Sequence, residues 1–427
     1  MKVSKLALVL ALAAGVGMTS PTLAQKNKKE AAGAGAFKPE LSKGFRDAAQ
    51  PVQKALQAKD FATAKAGLAA LEPAATGPDE KYYVGQWKIA IGQGTNDQAL
   101  VMAGLADAYN SGSAGAAADK PKFAWYLGRS AYLDKKDYAT AIRYLDEAKA
   151  AGYVPTDNAG QPTRDLDLVL FESYAGMKQY PQAFAAAERA IAAEKAAGKQ
   201  PSREWLTRPT SIAYQAKMYP EAVKWSRMLV ETYPTPDNWR SALEIYDIAY
   251  KPDDQARLDL MRLQRAAGAL SGERDYFDYA LLADKVGLPG EAKAVLDEGK
   301  AKNAYNASSQ AITELTGAVS PKVAADRASL AASEKSANAA ANGRAALATG
   351  DAFYGYGDYA KAAAMYRLAV QKGGIDANTA NLRLGMALAR SGQAAEAKQA
   401  FASVTQGPRA EIARFWTLHL DQGAKAS

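Results

Sequence analysis

A short pattern recurs along the chain: a polar residue, an aromatic, two short residues, then alanine. It reads Asp60-Phe61-Ala62-Thr63-Ala64 and Asp137-Tyr138-Ala139-Thr140-Ala141. It returns as Gln179-Tyr180-Pro181-Gln182-Ala183, Met218-Tyr219-Pro220-Glu221-Ala222 and Asp358-Tyr359-Ala360-Lys361-Ala362. Looser versions end at Ala292 and Ala397. Successive anchors lie 77, 42, 39, 70, 70 and 35 residues apart. Three of these intervals are near twice the others, which places hidden units at Ala99, Ala256 and Ala325. Ten units then run from Ala64 to Ala397 at a mean spacing of 37 residues. A fixed period of this size marks a stack of supersecondary units.

Each unit reads as two helices. Ala362, Met365, Tyr366 and Ala369 recur at i, i+3, i+4 and i+7, and Gly373-Gly374 ends the run. Pro181, Pro220 and Pro289 fall in the first turn of a second helix, where a missing N–H costs nothing. No stretch sustains period-2 alternation of β-branched residues, so the expected class is all-α. The alanines are expected at helix crossings, where a methyl fits and a larger group pries the pair apart. The aromatic three positions earlier is expected to close the gap to the next hairpin. Ile412, Phe415, Trp416 and Leu420 line one side of a last helix from Arg409 to Leu420, and 409–427 is read as a capping helix and tail on the open terminal repeat.

The repeat resembles the tetratricopeptide superfamily. The resemblance rests on Gly350, Phe353, Gly357, Tyr359, Ala362, Tyr366 and Ala369, and again on Leu384, Gly385, Leu388, Gly392, Ala397 and Phe401. Trp125, Leu127 and Gly128 match a first-helix pattern, with one residue inserted before Ala141. The chain also resembles exported bacterial proteins of this type with no assigned activity. The resemblance implies an α-solenoid of about ten hairpins over 44–408, whose first helices line an inner face that binds a protein or peptide. On the family's pattern that face carries Arg129, Tyr132, Glu172, Tyr214, Arg274, Asp351 and Tyr354.

The first 24 residues read as a signal peptide. Lys2 and Lys5 precede an apolar run from Leu6 to Val16, and Thr22-Leu23-Ala24 offers small residues at the −3 and −1 positions. The apolar run is shorter than the roughly 20 residues of a membrane span. A cleaved, exported protein is therefore expected, periplasmic or secreted, without stable membrane insertion. Removing the leader lowers the formal net charge from +8 to +6. Residues 25–43 hold Lys26, Lys28, Lys29, Lys38 and Lys43 and read as a flexible, solvated basic linker. Nucleic acid is not an expected partner of an exported chain.

Composition removes most chemistry. There is no cysteine, so thiolate metal sites and cysteine nucleophiles are excluded, and the one histidine, His419, reads as a packing or surface residue. The Gly-Lys pairs at 198–199 and 299–300 lack the Ser or Thr of a phosphate loop, and no Gly-x-Ser-x-Gly occurs. Ser111 to Gly115 reads as a helix connection and Asp253-Asp254 as a helix start. The expectation is a scaffold with no catalysis, cofactor or metal. The alternative is an accessory or enzymatic protein acting on wall polymers or carbohydrate, suggested by 22 Tyr, 10 Phe and 6 Trp.

Overall fold

Four of the hairpin turns are built the same way. Asp60, Asp97, Asp137 and Asp358 each accept a hydrogen bond from the backbone N–H three residues on, at 3.0, 3.0, 3.0 and 3.2 Å. Each therefore caps the second helix of its pair. The residue just before the cap lies at positive φ: Lys59, Asn96, Lys136 and Gly357. The cap's own N–H reaches back five residues to close the first helix, as Asp60 to Ala55 at 2.8 Å and Asp358 to Phe353 at 3.0 Å. At Asp137 it reaches six, to Ala131, which is where the inserted residue is absorbed.

The computed structural model describes residues 37–426 apart from 307. The leader and the linker to residue 36 lie outside them. The helices fall into two compact units, divided after Ala193. The first holds α1 (Lys43–Gln57), α2 (Phe61–Ala74), α3 (Pro78–Gly94), α4 (Gln98–Asn110), α5 (Lys120–Lys135), α6 (Tyr138–Ala150), α7 (Asp165–Gly176) and most of α8 (Tyr180–Ala196). The second holds α9 (Glu204–Gln215), α10 (Tyr219–Thr232), α11 (Pro236–Tyr250), α12 (Asp254–Ala266), α13 (Gly272–Lys285), α14 (Pro289–Ala301), α15 (Gln310–Ala339), α16 (Arg344–Gly355), α17 (Tyr359–Lys372), α18 (Ala377–Arg390), α19 (Ala394–Ala402) and α20 (Pro408–Ala426). Among the described residues there is no strand, only one isolated bridge, and no helix long and apolar enough to cross a membrane.

The seven anchors Ala64, Ala141, Ala183, Ala222, Ala292, Ala362 and Ala397 are all fully buried. The aromatics of the pattern reach the neighbouring hairpin. Phe61 of α2 covers Gly94 at the end of α3, and Tyr138 of α6 covers Gly176 at the end of α7. Ala362→Leu and Ala141→Leu should each cost about 1–3 kcal/mol by overpacking. Hydrogen exchange should show the loss confined to adjacent hairpins, and unchanged exchange would mean the crossings tolerate bulk.

Two of the inferred units differ from expectation. At the α3–α4 hairpin Ala99 is exposed, and Val101, four residues after the cap, takes the anchor position. The crossing admits the larger residue because glycines face it. A Cβ on Gly92 would lie 2.7 Å from Val101 Cγ2, and one on Gly85 would lie 2.5 Å from the Ala108 nitrogen. Around Ala325 there is no hairpin. The segment is the single 30-residue helix α15, with Ala325 exposed in its middle. Its Ala, Ser, Lys and Glu content offers no turn, and Pro321 is carried inside it. At the third inferred unit Ala256 is buried in α12 as expected.

The second unit closes on itself. Its last helix, α20, packs on α18 and α19 as a cap should, and also on α10 and α12. Trp239 Nε1 donates to Gln422 Oε1 at 3.3 Å, Tyr246 donates to the Pro408 carbonyl at 2.6 Å, and Arg227 pairs with Glu411 at 2.7 Å. One apolar core joins Leu243, Tyr246 and Leu263 to Leu382, Phe401, Phe415 and Trp416. His419 lies edge-on to both Trp239 and Trp416, with ring centroids 5.9 and 5.8 Å away, a packing role. Burial, then the nearby charge of Arg390, pulls its imidazole below the ordinary histidine range.

Candidate functional site: a buried charge network and its cleft

In the second unit charged residues occupy the interior where an apolar core would be expected. Asp259 and Arg262 lie one turn apart on α12, on the face that also carries Leu260 and Leu263. Arg262 is 1% exposed. Its guanidinium forks onto Glu291 of α14 at 2.9 and 2.7 Å and reaches Asp351 of α16 at 3.2 Å. Arg383 of α18 bonds Asp351 at 2.6 Å, Asp259 at 2.9 Å and Gln255 at 2.7 Å. Arg409 of α20 adds a bond to Asp259 at 3.2 Å. Tyr279 donates to Glu291 at 2.7 Å and Tyr366 to Asp351 at 2.8 Å.

The network balances three guanidinium groups against the three carboxylates of Asp259, Glu291 and Asp351. Burial by itself would lower the basicity of Arg262, but Glu291 and Asp351 outweigh it, so the group is held well above its ordinary range. Burial and then Asp351 push the Tyr366 hydroxyl far up, so it stays a donor. Both oxygens of each carboxylate are engaged. Such bonding recovers much of the desolvation cost of buried charges, and the cluster acts as a clasp between α12, α14, α16, α18 and α20.

A cleft of about 430 Å³ opens beside the clasp, with Asp351 and Arg383 among its lining residues. Its walls come from α15 and α16 and from the turn between α13 and α14. Among the described residues no group of three or more His, Cys, Asp or Glu side chains is placed to hold a metal ion.

Of the seven residues expected on an inner face, two are buried in the second unit. Asp351 and Tyr354 are 8% and 6% exposed. Asp351 is spent on Arg262, Arg383 and Tyr366, and the Arg262 guanidinium lies 4.7 Å over the Tyr354 ring. The expectation that these two face an open groove is corrected: α12 and the clasp fill that space. Tyr214 is 40% exposed, edge-on to Tyr219, and Arg274 is solvated, with a long 3.5 Å pair to Asp278. Arg129, Tyr132 and Glu172 belong to the first unit and are half-buried, on α5 and α7, which touch. The Tyr132 ring carries the Lys136 ammonium at 4.8 Å.

Sequence reasoning missed Asp259, Arg262, Glu291, Arg383 and Arg409. The available signal was a charge inside an apolar helical face. Arg383 stands between Leu382 and Leu384, and Glu291 stands beside the Ala292 anchor.

No family model matches the sequence, and no curated protein matches it. Solved structures of similar type include the TPR domain of P58(IPK), at 13% identity and a TM-score of 0.23, covering 89% of this chain and 99% of that one. Yeast Tom70 is similar at 11% identity and a TM-score of 0.19, covering 89% and 88%. The Cut9–Hcn1 hetero-tetramer of APC/C is similar at 15% identity and a TM-score of 0.20, covering 90% and 70%. These scores are too low to argue from. The description of the chain as a series of helical hairpins rests on its own caps, anchors and crossings.

Proposed function

We propose that this protein is an exported, non-catalytic scaffold that holds a peptide or protein partner in the cell envelope. The observation that carries the reading is the use to which the charged interior is put. Every carboxylate and guanidinium of the clasp is consumed in holding helices together, so recognition falls to the cleft and to exposed helical surface. The leader-like residues 1–24 support export. Among the expected contact residues, Tyr214 and Arg274 are the most accessible, and Tyr and Arg are favoured at binding hot spots.

Crosslinking in intact envelopes, followed by capture of the crosslinked partner, tests the reading. Tyr214→Ala with Arg274→Ala should weaken capture about tenfold, equivalent to about 1.4 kcal/mol, without moving the melting curve. The exported form should begin at Gln25 or within a few residues of it. Undiminished capture by a stable double variant would remove this surface. A protein retaining Met1 in the envelope would remove export by cleavage.

A further inference from the structure

The closure of the second unit has at its seam one group whose charge changes near neutral pH. His419 is the chain's single histidine. It lies half-buried on α20, between Trp239 of α11 and Trp416 of its own helix, with the rings nearly perpendicular. Neither ring nitrogen has a hydrogen-bond partner among the described residues. The other charges along this seam are paired off. On α10 Arg227 meets Glu411 of α20, which Arg414 shares. On α12 Asp259 holds Arg409 at 3.2 Å, and Asp253 reaches it at 3.8 Å. On α11 Arg240 pairs with Glu244 and Asp275 at 3.2 and 3.3 Å, and on α19 Lys398 pairs with Asp421. Arg390 of α18 is the charge that bears on the ring, and no carboxylate among the described residues offsets it there.

A neutral imidazole suits this place and an imidazolium does not. Protonation adds a positive charge near Arg390, in a seam of indole rings with no acceptor for the new N–H. Once α20 swings away, the ring is solvated and titrates near the ordinary value of about 6.5. The open state therefore takes up a proton more readily than the closed one. The closure keeps its full strength above that value and weakens as the pH falls below it. We propose that His419 is an acid-sensitive catch: protonation of its ring releases α20 from α10, α11 and α12. Release uncovers the apolar surface beneath Ile412, Phe415 and Trp416, all buried in the closed unit. The inference goes beyond the scaffold reading and does not depend on it.

The chain has no cysteine, so labels attach only where one is introduced. Glu231→Cys on α10 and Gly423→Cys on α20 are both exposed and flank the contact in which Gln422 donates to the Val230 carbonyl at 3.0 Å. A pyrene on each gives excimer emission while the catch is closed. On lowering the pH from 7.5 to 5.5 that emission should fall several-fold in the labelled full chain, with helical circular dichroism retained. His419→Gln should hold the excimer at both pH values. Where that variant opens the closure already at pH 7.5, His419→Phe, which keeps a ring and takes no proton, makes the comparison. Excimer emission unchanged by acid, or lost equally with and without the histidine, would overturn the proposal. So would both variants lying open at pH 7.5, since the ring would then hold the closure by shape rather than by its proton. Emission that rises in acid would overturn it too, because the indole faces would then be holding the imidazolium in place.

Discussion

Arg262→Ala is expected to destabilise the second unit by about 3–5 kcal/mol, the range for breaking a buried ion pair from one side. Among the described residues the guanidinium is the only side-chain donor to Glu291 apart from Tyr279, and it shares Asp351 with Arg383 and Tyr366. Its loss leaves the fully buried Glu291, and Asp351 beside it, facing too little positive charge. Arg262→Lys keeps the charge but not the fork, so it should fall between wild type and Arg262→Ala. Thermal unfolding, with hydrogen exchange to localise the effect, makes the measurement. Early loss of protection should appear together in α12, α14, α16 and α18. A melting curve within about 0.5 kcal/mol of wild type would show that the clasp contributes little, as some buried ion pairs do against apolar replacements.

Trp416→Ala should cost about 3–5 kcal/mol, the range for truncating a large buried aromatic. Trp416 is 1% exposed and stacks on Phe401 with ring centroids 6.0 Å apart. The location of the damage is more informative than its size. A helix that merely covered the terminal repeat would loosen α18 and α19. Because α20 also meets α10 and α12, protection should fall in those two helices as well, far earlier in the chain. Damage confined to α18 and α19 would mean that the closure seen through Tyr246, Pro408, Trp239 and Gln422 contributes no stability.

How much of this was legible beforehand differs between the two kinds of feature. The alternation of helices, the aspartate caps and the seven buried alanines follow from patterns a few residues long, since capping and helix crossing are decided within one hairpin. The exceptions are local as well. Val101 displaced Ala99 because glycines on α3 and α4 let the backbones approach, and α15 stayed whole because nothing in 310–339 forms a turn. The clasp and its cleft are of another kind. Arg262 meets Asp351 across 89 positions, and Asp259 meets Arg383 and Arg409 across 124 and 150. Those encounters depend on the rotation of each hairpin on the next, accumulated over several repeats. A small change in that rotation would carry α20 past α10 and α12 instead of onto them. The sequence alone therefore determined which residues build hairpins, and only the tertiary structure decided which charges meet inside the closed unit, because curvature is a sum over repeats that no single repeat contains.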